Sequence, residues 1–189
     1  MPNWCSNGIT LRHADPAMIE RAAKALQAGT FLQEFIPCPA ELTEAVANFE
    51  TNEAMVAKHG YSSWYDFSIA NWGTKWDVNS DNVEIEDANT VTAGFDSAWA
   101  PPTTAYERLL DLGFDVVAFY YEPGMQFVGK WDNGEDECFE YGGQTSETVR
   151  DYIGEEIDDY FGISEEMAQY EDEENQEIDL DGGLSATNE

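Results

Sequence analysis

Apolar residues near the start of the chain are spaced first as a strand and then as a helix. The run Gly8 to Leu11 is short and mostly apolar, which is typical of a strand. Asp15-Pro16 then supplies a helix cap followed by proline at the first helical position, and Gly29 is suited to end the helix. Between these signals, apolar residues recur with helical spacing at Ile19, Ala22, Ala23 and Leu26. The pattern therefore predicts a β-α unit.

A second series of elements is predicted in the middle of the chain. Apolar and polar residues alternate over Asn82–Asp87 and again over Thr90–Trp99, as in a half-buried hairpin. A capping box at Thr104-x-x-Glu107 predicts a helix that ends at Gly113. Asp115–Glu122 is almost continuously apolar, which is typical of a strand covered on both faces.

Two hairpins and a final helix are predicted after this strand. Pro123-Gly124 and Asn133-Gly134 are strong turn signals, and they predict added strands over Met125–Trp131 and Glu137–Tyr141. A helix is then predicted from about Glu147 to Phe161. Its apolar stripe consists of Val149, Tyr152, Ile153, Ile157, Tyr160 and Phe161.

The order of these elements is β-α-insertion-β-β-α-β, with strands added afterwards. We therefore predict an α+β fold: a ferredoxin-like split βαβ sandwich with a helical insertion, added antiparallel strands and an acidic C-terminal helix. The predicted organisation is a domain at 1–141 with an insertion at about 31–75, an acidic helical extension at 142–169 and a flexible acidic tail at 170–189.

The charge of the chain is strongly negative and unevenly distributed. Its 189 residues include 39 Asp and Glu against 8 Lys and Arg, for a formal net charge of -31. The segment from Asp132 to the end holds 21 of these acids and only one base, Arg150. Such a field repels nucleic acid and anionic membranes and attracts basic protein surfaces. We therefore expect a basic protein partner, and neither direct nucleic-acid binding nor membrane binding.

The remaining composition favours a cytoplasmic protein without a cofactor. Cys5, Cys38 and Cys138 are too few and too scattered for a disulfide framework or a cysteine-rich metal site. No apolar run approaches the roughly 18 residues of a membrane span. We expect no bound metal or cofactor and no catalytic residues.

Four tryptophan-centred motifs carry a resemblance to a known family. They are PNWCSN (Pro2 to Asn7), NWGTKWD (Asn71 to Asp77), FDSAWAPP (Phe95 to Pro102) and YYEPGMQFVGKW (Tyr120 to Trp131). Together they resemble the Api92-like proteins, which share the YubB ferredoxin-like domain and occur on phages, plasmids and genomic islands. The resemblance covers roughly residues 1–141 and implies a ferredoxin-like fold and a mobile-element origin. It implies no established reaction.

The aromatic residues of these motifs are expected to have a structural role. Large rings beside a turn usually close one end of a core, because each buries a large apolar area. A lysine between tryptophans can also make a cation–π contact. The residues concerned are Trp4, Trp72, Lys75, Trp76 and Trp99.

The acidic C-terminal helix suggests a function. Six acids over Glu147–Asp159 would lie along roughly 18 Å of helix, which is about one charge per 3–4 Å. This spacing is close to the distance of about 3.4 Å between the phosphates of one DNA strand. The predicted partner-binding face comprises Glu135, Asp136, Glu137, Glu140, Glu147, Asp151, Glu155, Glu156, Asp158 and Asp159. We expect a DNA mimic that inhibits a host DNA-binding or restriction-type defence protein, although the same residues also suit a merely solvated surface.

Two other classes of function remain open. A small enzyme would use a cleft near the tryptophan motifs, or the amine of Pro2 if the initiator methionine is removed. A structural or assembly module would instead distribute its acids evenly. The spacing Asp77-x-Asn79-x-Asp81 begins like a calcium loop but lacks the later glycine and glutamate, and we interpret it as a polar turn.

Overall fold

An open sheet of six antiparallel strands is the central element of the computed structural model, which describes residues 3–44 and 52–183. The strands are β1 (Trp4–Arg12), β2 (Asn82–Asp87), β3 (Thr90–Ala98), β4 (Asp115–Glu122), β5 (Phe127–Asp132) and β6 (Glu135–Glu140). The helices are α1 (Pro16–Ala28), α2 (Phe31–Phe35), α3 (Ala40–Glu44), α4 (Glu53–His59), α5 (Trp64–Trp72), α6 (Thr103–Asp111), α7 (Ser146–Ile153), α8 (Glu155–Phe161) and α9 (Ile163–Gly183). The strand order is β2-β3-β1-β4-β5-β6, so β2 and β6 are the edges.

The connectivity of the first four strands confirms the predicted fold class. β1 pairs with both β3 and β4, while α1 and α6 connect the strands of the β-α-β-β-α-β unit. This is the split βαβ arrangement of a ferredoxin-like α+β fold. The turns at Pro123-Gly124 and Asn133-Gly134 then add β5 and β6 beyond β4. The insertion is present as helices α2 to α5, between α1 and β2.

The two faces of the sheet are covered to different extents, because alternate residues of each strand point to opposite faces. On the first face, Ile9, Val91 and Val116 pack with Leu26 of α1 and Leu109 of α6 in the larger core. A smaller core lies between the second face of β4–β6 and helices α7–α9. Its buried members are Val128, Tyr141, Val149, Ile153, Ile157 and Ile163.

The second face of β1, β2 and β3 lies beyond these helices. Helix α8 packs against β4 and β5, and residues such as Ser6, Asn82, Gly94 and Asp96 are exposed. Half of one sheet face is therefore open to solvent.

The C-terminal region differs from its prediction in two ways. The expected helix over Glu147–Phe161 is divided into α7 and α8 at Gly154, whose φ of 90° and ψ of 150° interrupt the helix. The expected flexible tail at 170–189 instead continues α9 as far as Gly183, and residues 184–189 lie outside the described residues. Glu171 anchors α9 by accepting hydrogen bonds from the Ser146 backbone N (2.9 Å) and Oγ (2.6 Å) at the start of α7. Within the described ranges, no helix has the length and apolar character needed to cross a membrane.

Candidate functional site

Nine of the ten acids predicted to bind a partner are exposed, on one strand and two helices. They are Glu135, Asp136, Glu137 and Glu140 on β6, Glu147 and Asp151 on α7, and Glu155, Glu156 and Asp159 on α8. The rings of Phe139 on β6 and Tyr152 on α7 pack with their centroids 5.9 Å apart, which places the strand beside the helix. We call these nine residues the acidic surface.

Asp158 does not belong to the acidic surface, because only 2% of the residue is exposed. Its carboxylate accepts hydrogen bonds from the Ser164 backbone N (2.8 Å), Ser164 Oγ (2.6 Å) and Arg150 Nη1 (2.9 Å). Burial by itself raises the pKa of Asp158, but the Ser164 hydrogen bonds and the Arg150 charge outweigh it, so that the pKa is lowered. The role of Asp158 is therefore to fix the junction between α8 and α9.

Two basic residues neutralise part of the acidic surface. Arg150 pairs with Glu155 (2.9 Å) and Asp159 (2.6 Å). Lys130 on β5 pairs with Glu156 (2.9 Å). Among the described residues, the other six acids of the surface take part in no ion pair: Glu135, Asp136, Glu137, Glu140, Glu147 and Asp151. Of these six, Glu137 lies opposite Lys130 in the β5–β6 pairing without forming an ion pair with it.

A regular row of charges along one helix is not present. The break at Gly154 ends α7 after eight residues and starts α8 in a new direction. A φ of 90° with a ψ of 150° belongs to a region that is essentially reserved for glycine. The spacing expected from a continuous helix is therefore wrong, and the acids are spread over a strand and two short helices.

The tryptophans of NWGTKWD have different environments. Trp72 is 6% exposed, and its Nε1 donates a hydrogen bond to the Ile36 carbonyl (2.9 Å). Trp76 and Trp99 are 39% and 42% exposed. Gly73 (φ 81°) ends α5 and turns the chain away before Trp76, while Trp99 directly follows β3. The expectation that these rings close one end of the core is correct for Trp72 and wrong for Trp76 and Trp99.

Trp4, Trp76 and Trp99 instead form an exposed aromatic cluster. The ring centroids of Trp4 and Trp76 are 6.0 Å apart, and those of Trp76 and Trp99 are 6.3 Å apart. Lys75 Nζ lies 4.4 Å from the Trp76 ring and 5.2 Å from the Trp99 ring, within cation–π range. The cluster thus joins the start of β1, the loop after α5 and the end of β3.

A groove lies beside this cluster on the open half of the sheet. Two adjoining cavities of about 490 and 670 Å³ form it, and both are lined by Asp81, Asn82 and Gly94. Aromatic residues stand at its two ends, with Trp4 and Trp76 at one end and Phe119 and Tyr160 at the other. We call it the sheet groove.

A cleft near the tryptophans was expected only as part of the enzyme alternative, and the residues of the sheet groove were not predicted. A signal was present, because Gly8 and Gly94 lie within strands, where glycine often marks a close approach of another group. They face each other in the β1–β3 pairing. Pro2, the other catalytic candidate, lies outside the described residues.

Asp77 explains the calcium-like spacing without a metal ion. Its carboxylate oxygens accept hydrogen bonds from the backbone N of Leu32 (2.7 Å), Gln33 (2.9 Å) and Val78 (2.8 Å). It thereby caps α2, since Thr30 at the N-cap makes no side-chain hydrogen bond. Burial raises the pKa of Asp77, and the three N–H groups only partly oppose that shift. No group of three or more potential metal ligands is found in the described part of the chain.

The chain has a structural relative among proteins of known structure. No family model matches the chain, and no curated protein matches it. The solved structures include a match to the crystal structure of protein Api92 from Yersinia pseudotuberculosis, of family DUF1281. The chain is similar to this Api92 protein. The match has 12% identity and a TM-score of 0.42, and it covers 76% of this chain and 99% of the other.

The Api92 name of this structure is that of the family that the tryptophan motifs resemble. At this TM-score the similarity supports no conclusion about function.

Proposed function

We propose that this protein acts by binding and not by catalysis, and that its acidic surface occupies the basic nucleic-acid-binding surface of a host protein. The observation that carries the proposal is the group of six acids on β6 and α7 without an ion pair in the described residues. A basic partner would supply the missing positive charge, as it does when it binds phosphate groups.

The position of the acids supports mimicry of a charged surface and not of a single row. Glu137 on β6 lies close enough to Lys130 to raise the pKa of that lysine, although Glu156, which accepts hydrogen bonds from Lys130, has the larger effect. Glu135 and Glu137 lie on the sheet face that α7 and α8 cover, whereas Asp136 and Glu140 lie on the opposite face, because alternate residues of a strand point to opposite faces. A partner that binds DNA through a groove would meet charges from several elements at once.

The resemblance to a family carried by mobile elements favours a particular class of partner. Phages and plasmids benefit from blocking host proteins that bind and cut their DNA. We therefore propose a restriction-type defence protein or another DNA-binding protein of the host as the target. Such a target acts in the cytoplasm of the host cell, and we propose the same location for this protein.

The sheet groove offers carboxylates but few of the other side chains that catalysis uses, although carboxylates also serve as general acids and bases. The described lining of its two cavities contains no histidine, cysteine, lysine or arginine. General acid–base catalysis most often uses histidine, and nucleophilic catalysis commonly activates serine or cysteine with such a base. Carboxylates are the ionisable groups of this lining, and they suit attraction of a cation.

The test is displacement of DNA from a defined protein. A labelled DNA duplex is bound to each of a panel of restriction endonucleases and other host DNA-binding proteins, and fluorescence anisotropy reports its release. We expect the wild-type chain to displace the duplex from at least one of them. The displacement should weaken steeply as salt is raised, because charged contacts dominate it.

Two variants with equal charge changes decide where the partner binds. The first neutralises five acids of the acidic surface: Glu135→Gln, Glu137→Gln, Glu140→Gln, Glu147→Gln and Asp151→Asn. The control neutralises five exposed acids elsewhere: Glu44→Gln, Glu53→Gln, Glu86→Gln, Glu107→Gln and Asp115→Asn. We expect at least a tenfold loss of inhibition for the first and less than a twofold loss for the control. Equal losses, or no displacement by the wild type in the whole panel, would contradict the proposal.

A further inference from the structure

The sheet groove is a second surface with the properties of a binding site, and it lies apart from the acidic surface. Its floor is the open half-face of β1, β2 and β3. The cross-strand pair of Gly8 and Gly94 contributes no side chain to this floor, and at the exposed Gly94 a ligand can approach the backbone closely. The polar side chains along the floor are Ser6, Thr10, Asn82, Glu84, Thr92 and Asp96.

The boundary between the open and covered halves of the face is set by Tyr160 of α8. Its ring stacks on Phe119 of β4, with the centroids 4.5 Å apart and the planes inclined by 13°. Its hydroxyl group occupies the space that a Cβ atom at Gly8 would need. Gly94 is different, since the nearest atom to a Cβ built there is the Asn7 carbonyl oxygen at 3.8 Å. The space above Gly94 is therefore open.

The ends of the groove offer aromatic surface to a ligand. Trp4 is 49% exposed at one end, beside Trp76, and Tyr160 is 52% exposed at the other. Exposed tryptophan and tyrosine rings are enriched at binding sites and attract cations to their faces. Lys75 already makes such a contact with Trp76, so the exposed rings of Trp4 and Tyr160 are the ones left for a ligand cation.

The negative charge of the groove favours a cationic ligand. Asp81, Glu84 and Asp96 line it and take part in no ion pair among the described residues. Its described lining contains no basic residue. Guanidinium and ammonium groups would pair with these carboxylates and stack on the rings at the ends.

We propose that the sheet groove binds an extended arginine- or lysine-rich segment of a partner protein. Two strand spacings separate β2 from β1 across the open floor, or roughly 10 Å at about 4.8 Å each. At about 3.3 Å per extended residue, this width accommodates a segment of roughly three residues across the sheet. The inference concerns a different surface from the proposed mimicry of DNA and does not depend on it.

The test uses a fluorescein-labelled peptide of eight alternating arginine and serine residues and the full-length chain. Binding is followed by anisotropy, and the emission of the exposed tryptophans gives a local signal. The decisive variant is Gly94→Val, because it fills the groove without changing any charge. We expect it to weaken peptide binding at least tenfold and to abolish the change in tryptophan emission.

Charge variants provide the matched comparison. Asp81→Asn combined with Asp96→Asn removes two charges from the groove, and Glu135→Gln combined with Glu140→Gln removes two from the acidic surface. We expect at least a tenfold loss for the first pair and less than a twofold loss for the second. If Gly94→Val does not fold, as judged by circular dichroism, the two charge pairs still decide the question.

Three results would overturn the proposal. Peptide binding by Gly94→Val at wild-type strength would show that the groove is not occupied. Equal losses for the two charge pairs would show that only the net charge attracts the peptide. Displacement of the peptide by spermine at an equal concentration of positive charge would show a site for small cations and not for a protein segment. The acidic-surface variants tested against DNA-binding proteins leave the groove unchanged, so the two proposals fail separately.

Discussion

Substitution of Gly129 by alanine should destabilise the protein strongly, although alanine is normally more favourable than glycine inside a strand. A methyl group at this position would overlap the Tyr120 hydroxyl and the Glu137 carbonyl oxygen of the neighbouring strand. Tyr120 is 1% exposed, and its hydroxyl donates a hydrogen bond of 2.6 Å to Asp136 Oδ1. The side chain of Tyr120 and the backbone of β6 therefore both have to move.

The expected cost can be estimated from these contacts. Overpacking of a core position costs about 1–3 kcal/mol. Loss of the hydrogen bond from Tyr120 to a carboxylate adds about 1.5–3 kcal/mol to this destabilisation. Replacing a glycine in a strand stabilises the fold by about 0.5–1 kcal/mol, which reduces the total. We expect Gly129→Ala to lower the free energy of unfolding by about 2–5 kcal/mol.

The same substitution at Gly94 is the matched control. Its new Cβ would lie no closer than 3.8 Å to another group, so we expect Gly94→Ala to be neutral or to stabilise by up to about 1 kcal/mol. Unfolding in urea, followed by circular dichroism, gives both free energies. In a Tyr120→Phe background the cost of Gly129→Ala should fall by at least about 1.5–3 kcal/mol, because the hydrogen bond is already absent and one of the overlapping atoms is removed. A Gly129→Ala free energy within 0.5 kcal/mol of wild type, about the size of an ordinary surface change, would refute this reasoning.

Three further measurements test other parts of the structure. In a urea titration, Asp77→Ala should lower the free energy of unfolding by about 1–2 kcal/mol through loss of the α2 cap. Asp81→Ala, at an exposed position, is the control and should have little effect. The lowered pKa of Asp158 stabilises the fold above the unfolded carboxyl pKa of about 3.9. Asp158→Asn should therefore be less stable than wild type at pH 7. Urea titrations should show the difference in free energy of unfolding between the two proteins closing as the pH falls below that value. Burial raises the pKa of Cys5 to about 12, and Cys38 is also buried. A thiol reagent should therefore modify only Cys138 rapidly in the native protein. Rapid modification of all three cysteines would contradict the described burial.

The strands and hairpins were predictable because local residues determine them. Asn133 and Gly134 have φ values of 48° and 103° in the β5–β6 turn, as the Asn-Gly pair suggests. Asp15 caps α1 by accepting a hydrogen bond from the Ala17 backbone N (3.0 Å), as its position before Pro16 suggests. Such signals depend on neighbours in sequence, and they are sufficient to recognise the α+β fold.

The break at Gly154 could not be read from the periodicity. Val149, Ile153 and Ile157 are spaced by four residues and would form one stripe on an unbroken helix. The burial of Asp158 follows from the same break, because Arg150 lies eight residues away and reaches Asp158 only when α8 folds back. A pairing that depends on tertiary structure leaves no spacing signal in the sequence.

The sheet groove was not identified for a similar reason. Strand periodicity shows that Gly8 and Asp96 share a face, but it does not show which part of that face the C-terminal helices cover. That choice depends on α8 packing against β4 and β5. The exposed tryptophans gave the nearest available indication.

The two edge strands of the sheet share a property that bears on self-association. β2 carries Glu84, Glu86 and Asp87, and β6 carries Glu135, Asp136, Glu137 and Glu140. Two copies meeting edge to edge would bring like charges together along the whole line of contact, which disfavours strand exchange and amyloid-like stacking. Both edges of the sheet thus disfavour pairing with another copy of the chain. Their backbone groups remain free to pair with a strand of opposite charge.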